Sequence, residues 1–368
     1  MTVLGAFSMV ILLAFAAFLI DIAWMSVIQT EAQVASDIAA RGALTAFIND
    51  NSKDSFAARE ARAQQIGKTI FESHKIGRAP IEIDAAEVDF GVLNRNNNNF
   101  RTDARWANSV RINMDQVKPG GFPLFLAPIV FGTDSFNAPA RSTTSFRPID
   151  VVLCLDISRS MSRPPGSLTP LPGGGFNDPP VPGSRWLALV DSVELFLSRA
   201  ETQIPSLRVS LVTFGGGKFQ AVKTPWDDTS SRVETDLEFI GAARNTIDDR
   251  MTFITMNTLA LLTPITEGIA DATSVLTTQS DENANRVMIL LSDGAATSGS
   301  PTAAAEAAGA EGITIHTIYF ASATEAGAAP LETVAMKTGG RSLDADDPLE
   351  LDDAFNQVLA LLSVSLVE

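Results

Sequence analysis

The first fifty residues carry a long apolar run that changes into an amphipathic pattern. Residues 3–28 contain one charged side chain, Asp21, and are long enough to cross a bilayer as a helix. Beyond residue 28, apolar residues recur near helical spacing between polar ones until about residue 50. The apolar members of this second pattern are Val34, Ile38, Leu44, Phe47 and Ile48. The two patterns predict one membrane helix that continues as an amphipathic helix.

Three interpretations of the apolar run compete. A cleaved signal peptide would need a basic start, yet no Lys or Arg precedes Arg41. A buried core helix is seldom apolar on all sides for this length. We therefore expect a membrane anchor, with the bulk of the chain outside the cytoplasmic membrane because acidic residues follow the run. Asp21 is then either a pairing site for a neighbouring subunit or the interface end of the span.

The middle of the chain changes from a helical to a strand pattern. Residues 54–78 are rich in Ala, Arg and Gln and predict a second helix. Period-two alternation in residues 81–93 and 109–117 predicts strands, and the polar residues 94–100 between them predict a hairpin or loop. Residues 122–132 are apolar with two prolines, which favours a buried edge segment or a docking turn. A small α+β segment is the expectation.

From residue 148 onward, wholly apolar strands alternate with amphipathic helices. This alternation is typical of an α/β fold whose mainly parallel sheet is covered on both faces, as in doubly wound, Rossmann-like domains. Ser184 and Thr263 are the expected N-caps of two of the helices. The predicted strands lie within residues 149–156, 207–215, 286–294 and 313–321, and the predicted helices within 184–200, 263–279, 300–312, 330–340 and 348–363.

Composition and charge narrow the function. The chain is 45% apolar and 19% charged, which suits a globular core, and 43 acidic against 27 basic side chains give a net charge of −16. This balance argues against nucleic acid as a partner, since phosphate neutralisation needs clustered Lys and Arg. The single cysteine, Cys154, lies in an apolar run and is expected to be buried, while His74 and His316 are expected to be structural.

Candidate chemistry converges at the carboxyl ends of the apolar strands. Asp156 ends one such strand and Asp293 follows another, and sites in parallel sheets lie beyond these ends. Ser158, Ser160 and Thr263 are expected at the same edge. Carboxylates and hydroxyls form an all-oxygen set of the kind that hard divalent cations prefer, and so few carboxylates leave coordination positions for water or an incoming acidic ligand.

The order of these residues resembles a known family. Asp156-x-Ser158-x-Ser160, then Thr263 and the Ser-Asp-Gly sequence at 292–294, resembles the von Willebrand factor A domain with its metal-ion-dependent adhesion site. The resemblance implies bound Mg²⁺, or Mn²⁺ or Ca²⁺, whose open position takes a carboxylate from a protein ligand or surface receptor. It implies the metal ligands Asp156, Ser158, Ser160, Thr263 and Asp293.

The front of the chain resembles the TadE/TadG-like proteins of bacterial Tad pili, because an anchor with an acidic residue near its outer end precedes an Ala- and Gln-rich helix. This resemblance implies other pilus subunits as partners of the N-terminal helix. It also implies a location in the bacterial inner membrane with the bulk in the periplasm, or on the cell surface or pilus. The expected organisation is an anchor and amphipathic helix over 1–50, a pilin-like α+β segment over 51–147 and a von Willebrand A domain over 148–368.

Two features beside the predicted cation modify this picture. Residues 161–183 are rich in Pro and Gly and must emerge at the same edge, either as a specificity loop or as a tolerated insertion. Phe176 and Trp226 are candidate apolar contacts there. Arg159 stands where many members of the family have glycine, and its charge either steers an acidic ligand or weakens the metal.

Three hypotheses for the function follow. The first is a membrane-anchored, cation-dependent adhesion protein, and the second is a structural subunit that polymerises through its N-terminal helix. The third, an enzyme or its accessory subunit, is disfavoured because the sequence has no Gly-rich phosphate loop of the GxxxxGK[ST] type and no paired nucleophile and base. We therefore expect a protein without enzymatic activity.

Overall fold

The chain forms two compact units, one of residues 1–50 and 54–146 and the other of residues 51–53 and 147–368. The computed structural model describes residues 2–50, 56–81, 83, 87–94, 99–102, 107–114, 120–167, 169, 171, 178–204, 206–216, 225–226, 229–281, 284–321 and 328–364.

The first unit combines a long helix with an antiparallel sheet. Its helices are α1 (Thr2–Ile48), α2 (Phe56–Glu72) and α3 (Ala127–Phe131). Its strands are β1 (Lys75–Ile76), β2 (Ala79–Pro80), β3 (Val88–Asn94), β4 (Asn99–Arg101), β5 (Ser109–Met114), β6 (Phe122–Pro123), β7 (Ser135–Phe136) and β8 (Ala140–Ser145). The main sheet has the antiparallel order β4-β3-β5-β8, and β1-β2 and β6-β7 form separate pairs.

Helix α1 has two distinct halves, which confirms the predicted N-terminal apolar helix. Large apolar side chains in its first half are exposed, including Leu12 at 69% and Phe15 at 64%, so the buried-helix interpretation of this run is wrong. The helix is long and apolar enough to cross a membrane. From Ile28 onward one face of the helix is buried within the unit.

The buried face of the second half differs from the one that the apolar pattern indicated. Val34 is 47% exposed and Ile38 is 45% exposed, whereas the face that packs against α2, β5 and β8 is built mainly from alanines. Small side chains let the helix backbone approach the sheet closely. The buried residues of this face are Ile28, Ala32, Ala35, Ser36, Ala39, Ala40, Ala43, Leu44 and Phe47.

Two other expectations for the first unit need correction. The second helix runs from Phe56 to Glu72 and not over 54–78, because the turn and β1-β2 hairpin after it use residues 73–80. Residues 122–132 are not a buried edge segment throughout: β6 and a short helix, α3, form there, and Ile129 is 80% exposed. The predicted hairpin around residues 94–100 is confirmed by the antiparallel pairing of β3 with β4.

The second unit has the predicted α/β class, with a mixed sheet. Its strands are β9 (Ile149–Asp156), β10 (Arg208–Phe214), β11 (Ser231–Val233), β12 (Glu238–Phe239), β13 (Asn285–Ser292), β14 (Ile313–Phe320) and β15 (Ser342–Ala345). The sheet order is β11-β10-β9-β13-β14-β15, with β12 also paired to β10. The pairs β10-β9-β13-β14-β15 are parallel, and β11 and β12 are antiparallel to β10.

Helices cover both faces of this sheet. They are α4 (Arg185–Gln203), α5 (Ile240–Thr255), α6 (Ile265–Thr278), α7 (Pro301–Ala310), α8 (Ala328–Lys337) and α9 (Pro348–Val364). One apolar core lies between the sheet and α4, α5 and α9, and a second lies between the opposite face and α6, α7 and α8. Every residue of β9 is buried, as expected for a central strand.

Helix starts in this unit follow the predictions in one case and depart from them in another. Ser184 caps α4, since its hydroxyl accepts a hydrogen bond from the Leu187 N–H at 3.3 Å. Thr263 does not cap α6, because that helix begins at Ile265 with Pro264 at the N-cap position.

Candidate functional site

The candidate site lies where two neighbouring parallel strands end. Strands β9 and β13 pair in parallel with Leu155 opposite Leu291, so Asp156 and Ser292 come next on adjacent strands. Asp293 follows Ser292 directly, and the side chains of Asp156 and Asp293 are almost wholly buried. The strand register thus places two carboxylates side by side at the carboxyl edge, as the sequence pattern predicted.

A chain of hydrogen bonds joins four of the five predicted ligands. The Ser158 N–H donates to Asp156 Oδ1 at 2.7 Å, and the Ser158 and Ser160 hydroxyl oxygens lie 2.8 Å apart. The Ser160 hydroxyl donates to Asp293 Oδ1 at 2.6 Å. The 3-10 helix Arg159–Ser162 turns the backbone directly after Ser158 and brings Ser160 back towards the strand ends. Asp156, Ser158, Ser160 and Asp293 therefore form one oxygen-lined cluster.

The two carboxylates of this cluster disfavour each other's charge. Burial and then the neighbouring Asp293 raise the pKa of Asp156 to about 7. Hydrogen bonds from the Ser292 hydroxyl and from Ser158 oppose this rise by stabilising the ionised form. A cation at the hydroxyl side of the cluster would remove the repulsion that burial makes costly.

Arg185 is a cation that the sequence analysis missed. Its guanidinium is buried, and Nη1 donates to Asp293 Oδ2 at 2.7 Å, on the carboxylate oxygen that does not accept from Ser160. A signal was present in the sequence. Arg185 begins the stripe Arg185, Leu189, Ser192 and Phe196 that repeats at helical spacing and forms the buried face of α4.

Arg185 also links the site to the Pro- and Gly-rich insertion. Its backbone N–H donates to the Arg163 carbonyl at 2.8 Å, and Nη2 donates to the Ser167 carbonyl at 3.4 Å. The beginning and the end of the insertion therefore meet beside Asp293. Phe176, a predicted apolar contact in this segment, lies outside the described residues.

Thr263 lies on the same edge but is held differently. Ala260, three residues earlier, forms a bridge with Ser158, and its N–H donates to the Ile157 carbonyl at 2.8 Å. Thr263 itself exchanges hydrogen bonds with Thr297 through its backbone N–H and carbonyl. Its hydroxyl makes no hydrogen bond to the other four predicted ligands within the described part of the chain.

Glycines at the end of β10 allow this loop to approach. A Cβ on Gly215 would lie 2.7 Å from Ala260 Cβ and 2.7 Å from Ile157, so a larger residue would push the 260–263 segment away from the strand end. The Gly216 carbonyl accepts from the N–H groups of Leu261 and Leu262. The two glycines thus let the segment that carries Thr263 lie close to the ends of β9 and β10.

Other predicted residues take structural roles. Trp226 is 1% exposed and its indole N–H donates to the Thr258 carbonyl at 3.0 Å, so it is a core residue and not a ligand contact. Cys154 is fully buried in β9. The ring nitrogens of His74 and His316 bond to the backbone at Ile70 and Arg341.

The donor set fits a hard divalent cation. It offers Asp156, Asp293 Oδ1 and the Ser158 and Ser160 hydroxyls, all oxygen, while no group of three or more His, Cys, Asp or Glu converges among the described residues. Oxygen ligands with few carboxylates suit Mg²⁺ or Mn²⁺, which keep part of their coordination for water or substrate, and disfavour zinc. Because only two carboxylates are present, a further anionic ligand would be well accommodated.

Comparison with known proteins identifies the second unit. The model of the von Willebrand factor type A domain family matches residues 150–357. No curated protein matches the sequence.

Similar solved structures are distant. They include the pilus adhesin SpaC from Lactobacillus rhamnosus GG, at 13% identity and a TM-score of 0.45 over 61% of this chain and 32% of that one. The vWF domain of the type V pili tip protein Mfa5 from Porphyromonas gingivalis shows 13% identity and a TM-score of 0.44 over 61% of this chain and 97% of that one. BatB from Bacteroides thetaiotaomicron shows 16% identity and a TM-score of 0.42 over 59% and 99%. The chain thus spans about a third of the length of the SpaC structure.

Proposed function

The chain belongs to the von Willebrand factor type A domain family, and from this premise we propose that it is a membrane-anchored protein that binds a protein ligand or surface receptor through a divalent cation. The observation that carries the proposal is the hydrogen-bonded cluster of Asp156, Ser158, Ser160 and Asp293 at the strand ends. The proposed role is adhesion at a bacterial surface, in a Tad-type pilus system, with the bulk of the chain in the periplasm or outside the cell.

Each residue of the site would have its own role in binding the cation. Asp156 and Asp293 provide the negative charge, and Ser158 and Ser160 present hydroxyl oxygens between them. Mg²⁺, or Mn²⁺ or Ca²⁺, would supply an open coordination position for a carboxylate of the ligand. Arg185 holds Asp293 in place and keeps its second oxygen occupied. Thr263 is the remaining proposed ligand, at the edge of the cluster.

Burial makes this arrangement specific for charged partners. The carboxylates of Asp156 and Asp293 are shielded from water, so attraction to a cation is stronger here than on an exposed surface. Arg185 holds Arg163 and Ser167, at the start of the Pro- and Gly-rich insertion, beside Asp293, and this part of the insertion would border an incoming ligand. Arg159, which lies within the turn of the 3-10 helix, would steer acidic groups towards the same point.

The first test is metal binding by the full-length protein. Thermal unfolding in detergent with Mg²⁺, Mn²⁺ or Ca²⁺ should show a rise in Tm, because a ligand that binds only the folded state stabilises by about 2.7 kcal/mol at one hundred times its Kd. D156N and the double variant S158A/S160A should lose the rise. S162A is the matched control, since the Ser162 hydroxyl donates to the Arg159 carbonyl and not to a residue of the cluster. No rise with any of the three cations would contradict the proposal.

The second test separates adhesion from a structural role. Cells that display the wild type and D156N at equal levels are compared for surface attachment with Mg²⁺ and with EDTA. Adhesion predicts that D156N behaves as the wild type does in EDTA.

A structural pilin-like subunit is the second candidate function, and the exposed apolar residues Val34 and Ile38 on helix α1 favour it. If V34D/I38D prevents assembly into filaments while D156N leaves both assembly and attachment intact, this second function replaces the first.

A further inference from the structure

A short apolar segment, residues 124–131, is fastened to helix α1 at Asp21, the one charged residue in the apolar run 3–28 of that helix. The Asp21 carboxylate accepts backbone hydrogen bonds from Phe125 at 2.8 Å, Leu126 at 3.0 Å and Ala127 at 2.5 Å. Asp21 is 2% exposed as a result. It is therefore occupied within its own chain, which excludes the expectation that it pairs with a neighbouring subunit in this conformation.

A tryptophan strengthens the same attachment. The Trp24 indole N–H donates to the Pro123 carbonyl at 3.2 Å, and the Trp24 ring packs edge-on against Phe125 with centroids 5.4 Å apart. Asp21 and Trp24 lie about one turn apart on the helix, so both fix the segment at one level along its axis.

The fastened segment exposes large apolar side chains. Phe125 is 56% exposed and Ile129 is 80% exposed. Polar residues follow further along both segments: Thr133 and Asp134 are exposed after α3 ends, and Thr30 and Glu31 are exposed on α1 after its apolar run ends at residue 28. Exposed apolar patches bordered by polar residues mark binding surfaces.

We propose that residues 124–131 are a second membrane contact, inserted into the outer boundary of the bilayer beside helix α1. The argument for lipid as the occupant is continuity, because the segment adjoins the exposed apolar half of α1, whose Phe15, Phe18 and Leu19 are 64%, 46% and 62% exposed. Tryptophan at this level is typical of the membrane interface. The three N–H groups on Asp21 compensate the one carboxylate that would otherwise face the hydrocarbon edge. This inference rests on the proposed membrane anchoring.

The test measures the depth of single labels in proteoliposomes of the full-length protein. I129C is labelled with an environment-sensitive fluorophore, and quenching by lipids with nitroxides at shallow or deep acyl positions is compared. Labelling is selective because the native Cys154 is buried. F15C reports on the anchor itself. V34C is the matched negative control, since it is also exposed on α1 and lies about 20 Å further along the helix from Asp21.

The expected result is strong quenching of I129C by the shallow nitroxide, quenching of F15C by both nitroxides and no quenching of V34C. If F15C is quenched and I129C is not, the segment does not contact lipid and this inference is wrong while the anchor stands. If I129C is instead shielded from lipid and forms disulfides between copies on oxidation, its occupant is a second copy of the chain. If F15C itself is not quenched, the proposed anchoring fails first.

A pair of variants tests whether Asp21 positions residues 124–131 at the membrane. D21N weakens the carboxylate that holds the segment, and we expect it to reduce shallow quenching of I129C without changing quenching of F15C. E31Q is the control, because Glu31 bonds to the Gly77 N–H elsewhere on the same helix. Equal quenching of I129C in D21N and the parent protein would show that Asp21 does not position the segment.

Discussion

Strand β9 carries an aspartate near each end, and the two aspartates have very different neighbours. At the amino end Asp150 has arginines on both neighbouring strands, Arg208 on β10 and Arg286 on β13. At the carboxyl end Asp156 lies beside Phe214 of β10 and next to Ser292, which follows on β13. Both aspartates are 0% exposed. Asp150 and Asp156 are therefore equally buried, but their negative charges are compensated in very different ways.

The difference separates structural from binding chemistry. Arg208 donates to both oxygens of Asp150, through Nε at 2.7 Å and through Nη2, and the Ser280 hydroxyl completes the network. Within the described part of the chain, Asp156 accepts from the Ser158 N–H and from serine hydroxyls, and it has a second carboxylate beside it. Ionising a buried carboxylate beside a second one is costly, so the proposed cation would stabilise the charged form of Asp156.

The largest loss of stability is expected at the amino end of β9, where Asp150 is paired with Arg208. R208M should lower the free energy of unfolding by about 3–5 kcal/mol, because the buried Asp150 carboxylate loses the guanidinium that donates to both of its oxygens. Chemical denaturation with and without Mg²⁺ measures it, and the loss should be the same in both. E306Q is the control for removing an exposed ion pair, that of Glu306 with Lys337, and should cost about 1 kcal/mol or less. An equally small loss in R208M would remove the contrast between the two ends.

R185M is expected to lower the free energy of unfolding, and Mg²⁺ is expected to restore part of it. In EDTA this variant should also lose about 3–5 kcal/mol, since Asp293 keeps its burial but loses its ion pair. Mg²⁺ should recover part of the loss, because the added cation compensates the same carboxylate. R185K, which keeps the charge, should fall between the wild type and R185M. A loss in R185M that is independent of Mg²⁺ would make Arg185 equivalent to Arg208 and Asp293 a purely structural residue.

A small effect in EDTA is expected for D156N. Removing one of two adjacent carboxylates relieves their repulsion, so the free energy of unfolding should change by no more than about 1 kcal/mol or should rise. D150N, the same substitution at the other end of the strand, should cost several times more. D156N and D150N can be compared directly because both replace a fully buried aspartate with asparagine. A large loss in D156N would show that its carboxylate is as structural as that of Asp150.

The smallest effect is expected for T263V. The Thr263 backbone is held by Thr297, so an isosteric loss of the hydroxyl should leave stability in EDTA within about 1 kcal/mol. If the hydroxyl is a ligand, the rise in Tm with Mg²⁺ should shrink without disappearing. T297V is the matched variant, because it removes the hydroxyl that accepts from the Thr263 N–H while leaving Thr263 intact. An unchanged response to Mg²⁺ in T263V would restrict the site to the other four residues.

Several elements were predictable because their patterns are strong. The strands around residues 149–156 and 286–292 have apolar runs in their middle, at 151–155 and 287–291, that bury both faces, and such runs have few other interpretations. The position of Asp156 and Asp293 at the carboxyl edge followed from that assignment alone. By contrast, α5 was not predicted: its buried residues Ile240, Ala243 and Ile247 recur at helical spacing, but polar residues and glycine dilute the pattern.

Other elements depended on contacts that no local pattern contains. The apolar pattern of helix α1 predicted its packing face only in part, because Leu44 and Phe47 are buried there but alanines, and not Val34 or Ile38, form the rest of the face. The strands β11, β12 and β15 are short, and they pair with β10 or β14, which are distant in the sequence or follow a long connection. The hydrophobic pattern of a helix depends only on how apolar its side chains are, whereas close packing also selects side chains by size.

The sequence by itself determined the class of the second unit, its family and the two strand ends at which oxygen ligands gather, because apolar runs and their order are local properties of the chain. Only the tertiary structure decided which charges meet. It joined Arg185 to Asp293, Arg208 to Asp150 and Asp21 to the backbone of residues 125–127, across separations of 104 residues in the case of Asp21 and Phe125. The physical reason is that the free energy of a buried charge depends on neighbours brought from distant segments, and these neighbours are fixed only when the fold is complete.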